Sequence, residues 1–186
     1  MTLRCVEDVP RLWSGKMAGA IRGAMMRVQG FAGFRVQHVS IQHNHLHLII
    51  EAEDSNARSR GLGSLEIAIA KAINRACGRR GAMFAFRYHA VALTTPKQVR
   101  HTIGYVLGNW RHHHEDRMSA AARRAIFDPY SSSAAFDGWD RAYDSSVHVG
   151  LPVECPTSWL LAVGWRQYGP IDPDATPKPD ASRHRR

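Results

Sequence analysis

From His45 to Ile50 apolar and polar residues alternate: Leu46, Leu48 and Ile50 fall on one face of an extended strand, His45 and His47 on the other. His43 shares the histidine face at the strand's entry, and His43 and Asn44 form a tight turn from a preceding strand over 34–42, so the two strands read as a hairpin. The apolar residues of that preceding strand change parity, Phe34 and Val36 and then Val39 and Ile41, which predicts a bulge or two covered faces.

Around this hairpin the pattern predicts further elements in order. Residues 2–6 form a short strand that begins almost at the start of the chain, so the start is expected to be truncated or misassigned. Residues 11–29 form a helix with Leu12, Met17, Ile21, Met25 and Val28 at helical spacing. After the hairpin, Asp54, Ser55 and Asn56 are suited to capping a helix over 57–77 whose stripe is Leu62, Leu65, Ile69, Ile73 and Ala76, ended by Gly78. A strand over 83–95 follows. Thr94 or Thr95 then caps a helix with Pro96 at its first position and a stripe of Val99, Ile103, Val106, Leu107 and Trp110. His101, Tyr105, Asn109 and His112 lie roughly opposite that stripe.

Strand, helix, strand, strand, helix, strand is the βαββαβ order of a ferredoxin-like antiparallel sheet, here followed by an added helix that carries Tyr105. The expected class is α+β. Residues 1–117 form the main domain, 118–169 an extension with a short helix over 119–127 and an apolar segment over 159–166 that packs back, and 170–186 a disordered, proline-rich basic tail.

Composition narrows the partners. Among 186 residues, Lys plus Arg is 25 against 16 Asp plus Glu, a formal net charge of +9, which points to a polyanion, nucleic acid first. The length is too small for a (β/α)₈ barrel, so the H-x-H pair is not a barrel metallohydrolase's first strand. Cys5, Cys77 and Cys155 match no zinc or disulfide spacing and read as thiols of a reducing compartment. The start, with Arg4, Glu7 and Asp8, does not resemble a signal peptide, and no apolar run approaches a membrane span; a cytoplasmic protein is expected.

Two imidazoles at i and i+2 of a strand, roughly 7 Å apart at Cα, reach one divalent ion without rearranging the backbone; the same pattern also serves as a structural pair on a half-buried sheet. Of the five tyrosines, Tyr88, Tyr105, Tyr130, Tyr143 and Tyr168, Tyr105 alone sits on a polar helical face, with Asn109 one turn on and able to bring an amide oxygen to the same ion. A bound ion polarising a phosphodiester would let this weakly acidic phenol attack it. Because Tyr105 lies opposite its helix's apolar stripe, it is expected to be able to serve a partner subunit's metal site. His112, His113 and His114 read as a solvated cluster at a helix end. Arg58, Arg60, Lys71, Arg75, Arg79 and Arg80 would track a phosphate backbone. Arg87 and Tyr88 offer a cation and a stacking ring for unpaired bases.

His45-Leu46-His47 on a central strand, followed by Tyr105-Val106-Leu107-Gly108-Asn109-Trp110 on a later helix, resembles the REP-associated tyrosine transposases, among the HUH single-tyrosine transposases of the smallest insertion sequences. Glu51 to Asp54, Phe84 to Ala90 and Asp137-Gly138-Trp139 support the likeness, which covers about residues 2–115. It implies a ferredoxin-like sheet, often in a homodimer, with His45 and His47 as Mg²⁺ or Mn²⁺ ligands and Asn109 matching a third by spacing. Tyr105 would attack single-stranded DNA beside a hairpin and form a 5′-phosphotyrosine. Two other classes stay open. A non-catalytic nucleic-acid binder predicts binding that survives chelator and Tyr105→Phe. A metal-dependent phosphodiesterase using water predicts turnover that survives Tyr105→Phe but not His45→Ala.

Overall fold

Strand β3 (His45–Ala52) is the centre of a three-stranded antiparallel sheet, with β1 (Thr2–Arg4) on one side and β2 (Phe34–Ile41) on the other. The computed structural model describes residues 1–85, 88–141 and 150–175. Five helices accompany the sheet: α1 (Gly15–Val28), α2 (Ser55–Cys77), α3 (Pro96–His112), α4 (Ala120–Arg124) and α5 (Trp159–Ala162). The class is α+β, as the alternation of periods predicts.

The expected β2 bulge lies between Val36 and His38. It resolves the change of parity: Phe34, Val36, Val39 and Ile41 all reach one core, together with Leu3, Leu46 and Leu48 of the other strands. Helices α1 and α2 cover this face with Ile21, Met25, Leu62, Leu65, Ile69 and Ile73. The layers meet closely at Gly61, where an added Cβ would stand 2.2 Å from the Phe34 ring. Asp54 caps α2 by accepting from the Ala57 N–H, and Gly78 ends it at φ 66°, a left-handed conformation that glycine adopts at no steric penalty.

Two expected boundaries move. Helix α1 begins at Gly15, capped by Ser14, not at Arg11. Ahead of it the Leu12 N–H donates to the His43 carbonyl, so this segment is tied to the hairpin turn and cannot continue the helix. The strand expected over 83–95 is not formed among the described residues. That stretch meets β1 only at isolated bridges, Cys5 with Phe84 and Thr2 with His89. Strand β1 spans three residues and offers too short an edge to template a ladder.

The opposite face of the sheet receives α3. Thr95 and Gln98 form a reciprocal capping box with Pro96 in the first turn. Val99, Ile103, Val106 and Leu107 pack with Ile49 of β3 and with Phe136, Trp165 and Ile171 of the extension. Helix α3 is therefore enclosed on two sides, by the sheet and by the chain that folds back over it. That return reaches further than expected: Ile171 is buried, its N–H donates to the Gly138 carbonyl, and its own carbonyl accepts from Asp140. Residues 170–175 are thus held against the body, while 176–186 of the expected tail lie outside the described residues. No described helix is long and apolar enough to cross a membrane.

Candidate active site

Alternation along β3 sends Leu46 and Leu48 into the α1/α2 core and turns His45, His47 and Ile49 toward α3. The Nε2 atoms of His45 and His47 come to 3.0 Å. Each ring is held from behind. His45 Nδ1 lies 2.9 Å from the Asn44 amide oxygen, so it donates there and leaves Nε2 with a lone pair. His47 Nδ1 lies 3.0 Å from the Thr2 hydroxyl across the β1–β3 ladder, where Thr2 and His47 are register partners. Partners of this kind fix the tautomer and orientation of metal-binding imidazoles.

Helix α3 lays a second row over the pair. The Tyr105 ring meets His47 edge-on, with centroids 5.3 Å apart, and the His113 ring meets His45 in the same way, also at 5.3 Å. Asn109 lies between them by helical spacing, one turn from each. It is 0 % exposed, and neither amide atom has a hydrogen-bond partner among the described residues. Burial, then the neighbouring His113, Arg4 and His43, push the His45 pKa down to about 4, so the ring is neutral near pH 7, the form that ligates a cation.

The spacing of the pair is that of two ligands on one divalent cation. Two donors at right angles around an octahedral ion, each at roughly 2.1 Å, stand about 3 Å apart, the separation the Nε2 atoms already have. The buried Asn109 amide, one helical turn from Tyr105 and from His113, could offer an oxygen with no described hydrogen-bond partner. Among the described residues no group of three or more His, Cys, Asp or Glu converges as a metal site.

Several expectations need correction. Tyr105 and Asn109 are not on a solvent-facing side of α3: Tyr105 is half-buried against His47 of its own chain, and Asn109 is buried. His112, His113 and His114 are all exposed, as a solvated cluster requires, and His113 in addition reaches the His45 ring. The i, i+4, i+8 spacing of Tyr105, Asn109 and His113 carried that signal in the sequence. Of the cations assigned to DNA, Arg58, Arg60, Lys71, Arg75 and Arg80 are exposed on or just after α2, the layer on the far side of the sheet from the histidines. Arg79 is occupied structurally, paired with Asp8 and donating to the Asn74 side chain at 2.8 Å. Tyr88 is half-buried against the α1/α2 core, which limits it as a stacking platform. Arg87 lies outside the described residues.

A cleft of about 760 Å³ opens beside the site, lined by Ile49 to Ala52 of β3, residues 90–93, Val99 and Thr102 of α3, and Arg58 at its mouth. Glu51 on its rim does not face free: it accepts from the Thr157 and Ser158 backbone N–H groups at 2.8 and 2.7 Å. Burial alone would raise its pKa, but these hydrogen bonds hold it below the usual carboxylate value. No protein-family model, curated protein or solved structure matches this chain.

Proposed function

We propose that this chain is a metal-dependent HUH-type transposase that cleaves and rejoins single-stranded DNA near hairpins, built on a ferredoxin-like frame whose fourth strand is reduced to the bridges at Phe84 and His89. The observation that carries the reading is the edge-on contact of Tyr105 with His47 within one chain, at 5.3 Å, beside two Nε2 atoms 3.0 Å apart. A phenol from the helix beside an imidazole pair from the strand supports the reading of nucleophile and cation ligands.

In this reading His45, His47 and the Asn109 amide oxygen hold Mg²⁺ or Mn²⁺, which supplies polarisation of the phosphodiester and offsets charge in the transition state. The Tyr105 oxygen attacks phosphorus and gives up its proton. The bond from phosphorus to the 3′ oxygen breaks, and that oxygen leaves as a 3′-hydroxyl. The strand's 5′ phosphate is now esterified to Tyr105. Attack by a 3′-hydroxyl of another strand reverses these steps, restores the phenol and joins the strands, with no nucleotide cofactor because the ester bond is conserved throughout. His47 keeps the phenol close by ring contact, and Thr2 and Asn44 keep the imidazoles from turning away.

The test is a covalent-adduct assay with labelled hairpin-bearing single strands and Mg²⁺ or Mn²⁺. A denaturation-resistant protein–DNA band, lost in Tyr105→Phe, is expected. Intact binding with no band across both metals would replace the reading with a non-catalytic binder. Cleavage that survives Tyr105→Phe and is lost in His45→Ala would replace it with a water-using phosphodiesterase.

A further inference from the structure

Strand β1 places Arg4 directly across from His45. The backbone carbonyl of Arg4 accepts from Ala85 on the other side, so Arg4 and His45 form a pair without mutual hydrogen bonds, the closer of the two antiparallel kinds. Side chains so paired share a face with Cβ atoms about 5 Å apart. The Arg4 side chain is exposed and has no carboxylate partner among the described residues.

Arg4 is not alone at this end. Arg11 Nε donates to His43 Nδ1 at 2.8 Å, which leaves the His43 proton on Nε2 as a donor. The exposed His113 ring lies edge-on to His45 from above. Besides His47, the charged or titratable groups among the described residues that act on His45 are His113, Arg4 and His43, and none is acidic. Glu115, on which Arg11 and the His43 backbone also act, is 5 % exposed, and burial outweighs both and raises its pKa to about 8. Tyr105 meets the other ring of the pair, His47. One strand repeat, roughly 7 Å, separates the two ends, within the reach of neighbouring phosphates on one strand.

We propose that Arg4, with His43 backed by Arg11 and with His113, forms a phosphate-binding site at the His45 end of the pair, which holds the phosphodiester next to the one Tyr105 attacks. The choice of phosphate rests on the reading of Tyr105 as nucleophile; the site itself rests on strand register and charge. Arg4 is then a positioning residue for the strand, and its planar guanidinium grips phosphate oxygens in pairs, which lysine does not.

The experiment uses the full chain carrying Tyr105→Phe, in chelator, so that neither adduct nor metal contributes. The probe is a thymidine pentanucleotide at fixed pH. Binding is followed by anisotropy across salt and by the ring C–H resonances of His43, His45 and His113. Adding Arg4→Gln is expected to weaken binding about tenfold, to lower the salt slope by about 0.7, and to remove the oligonucleotide-induced shifts of these rings. Arg4→Lys restores the slope and part of the affinity. Arg75→Gln, on the far layer, leaves the ring shifts in place. Ring shifts unchanged in Arg4→Gln, or lost equally in Arg75→Gln, would overturn the site. Because the probe needs no covalent chemistry, a negative adduct assay with a positive result here removes the nucleophile and leaves the phosphate site standing.

Discussion

The Nε2 atoms of His45 and His47 stand 3.0 Å apart while each ring is braced by a different neighbour, Asn44 for one and Thr2 for the other. The pair is thus set by the backbone: a two-residue turn supplies one brace and the adjacent strand the other, and neither depends on a long, mobile side chain. Preorganisation of this kind leaves little rearrangement for a bound ion to drive.

The Tyr105 ring meets His47 of its own chain, so under the proposed function nucleophile and ligands would act in cis. A mixture of Tyr105→Phe and His45→Ala chains is expected to form no covalent DNA adduct on gels. Recovery of the adduct in the mixture would show an exchanged helix instead.

Asn109 is enclosed, with both amide atoms unpaired among the described residues. Replacing it by leucine removes an unsatisfied buried group, a burden of about 1 to 3 kcal/mol. The metal-free Asn109→Leu protein is expected to melt at least about 2 °C higher than wild type, while adduct formation at fixed Mg²⁺ falls by about 10- to 100-fold. Calorimetry and the gel assay on one preparation check both; a lower Tm would mean that the amide has an internal partner.

Burial, reinforced by Asp128, raises the Glu115 pKa from 4.5 to about 8. The folded protein keeps this proton while the unfolded chain releases it above pH 4.5, so the contribution to stability is whole below 4.5 and declines as pH climbs to 8. Glu115→Gln keeps the shape and cannot ionise. Its Tm is expected to match wild type at pH 4 and to exceed it at pH 8 by about 2 to 4 °C for each kcal/mol recovered. Part of the decline persists in the variant up to pH 7, because burial holds Asp128 at about 7. Equal Tm values at pH 8 would refute the buried, protonated state.

The cations of α2 separate into two kinds. Arg79 pairs with Asp8 and braces Asn74 near the helix end, so Arg79→Ala is expected to lower Tm. Arg60, Lys71 and Arg75 are exposed on the layer away from the histidines. Their joint replacement by glutamine should weaken DNA binding at low salt yet leave the adduct rate at saturating DNA within about twofold.

Gly61 lies where α2 crosses Phe34, and a methyl group there would overlap the ring. Gly61→Ala is expected to destabilise by about 1 to 3 kcal/mol, seen as an earlier urea midpoint with unchanged slope. Gly63→Ala, which meets nothing within 4 Å, should not destabilise.

Local patterns in the sequence determined much of this molecule. Period-two alternation over 45–50 assigned the histidines to one face, the parity change in β2 announced its bulge, and Asp54, Gly78, Thr95 and Pro96 marked helix ends, because each of these depends on a few adjacent residues. Tertiary structure decided the rest. The stretch after Met83 carries strand-forming residues, yet a three-residue β1 gives it only two bridges. Asn109 reads as polar and therefore exposed, but α3 is covered by the sheet on one side and by Trp165 and Ile171 on the other, and Asn109 is buried while His101 and His112 of the same polar row stay exposed. Arg60, Lys71 and Arg75 read as part of a set that tracks a phosphate backbone, and only the tertiary structure puts the sheet between them and the histidines. Arg4 becomes a neighbour of His45 only through strand register, a pairing across 41 positions that no local spacing encodes.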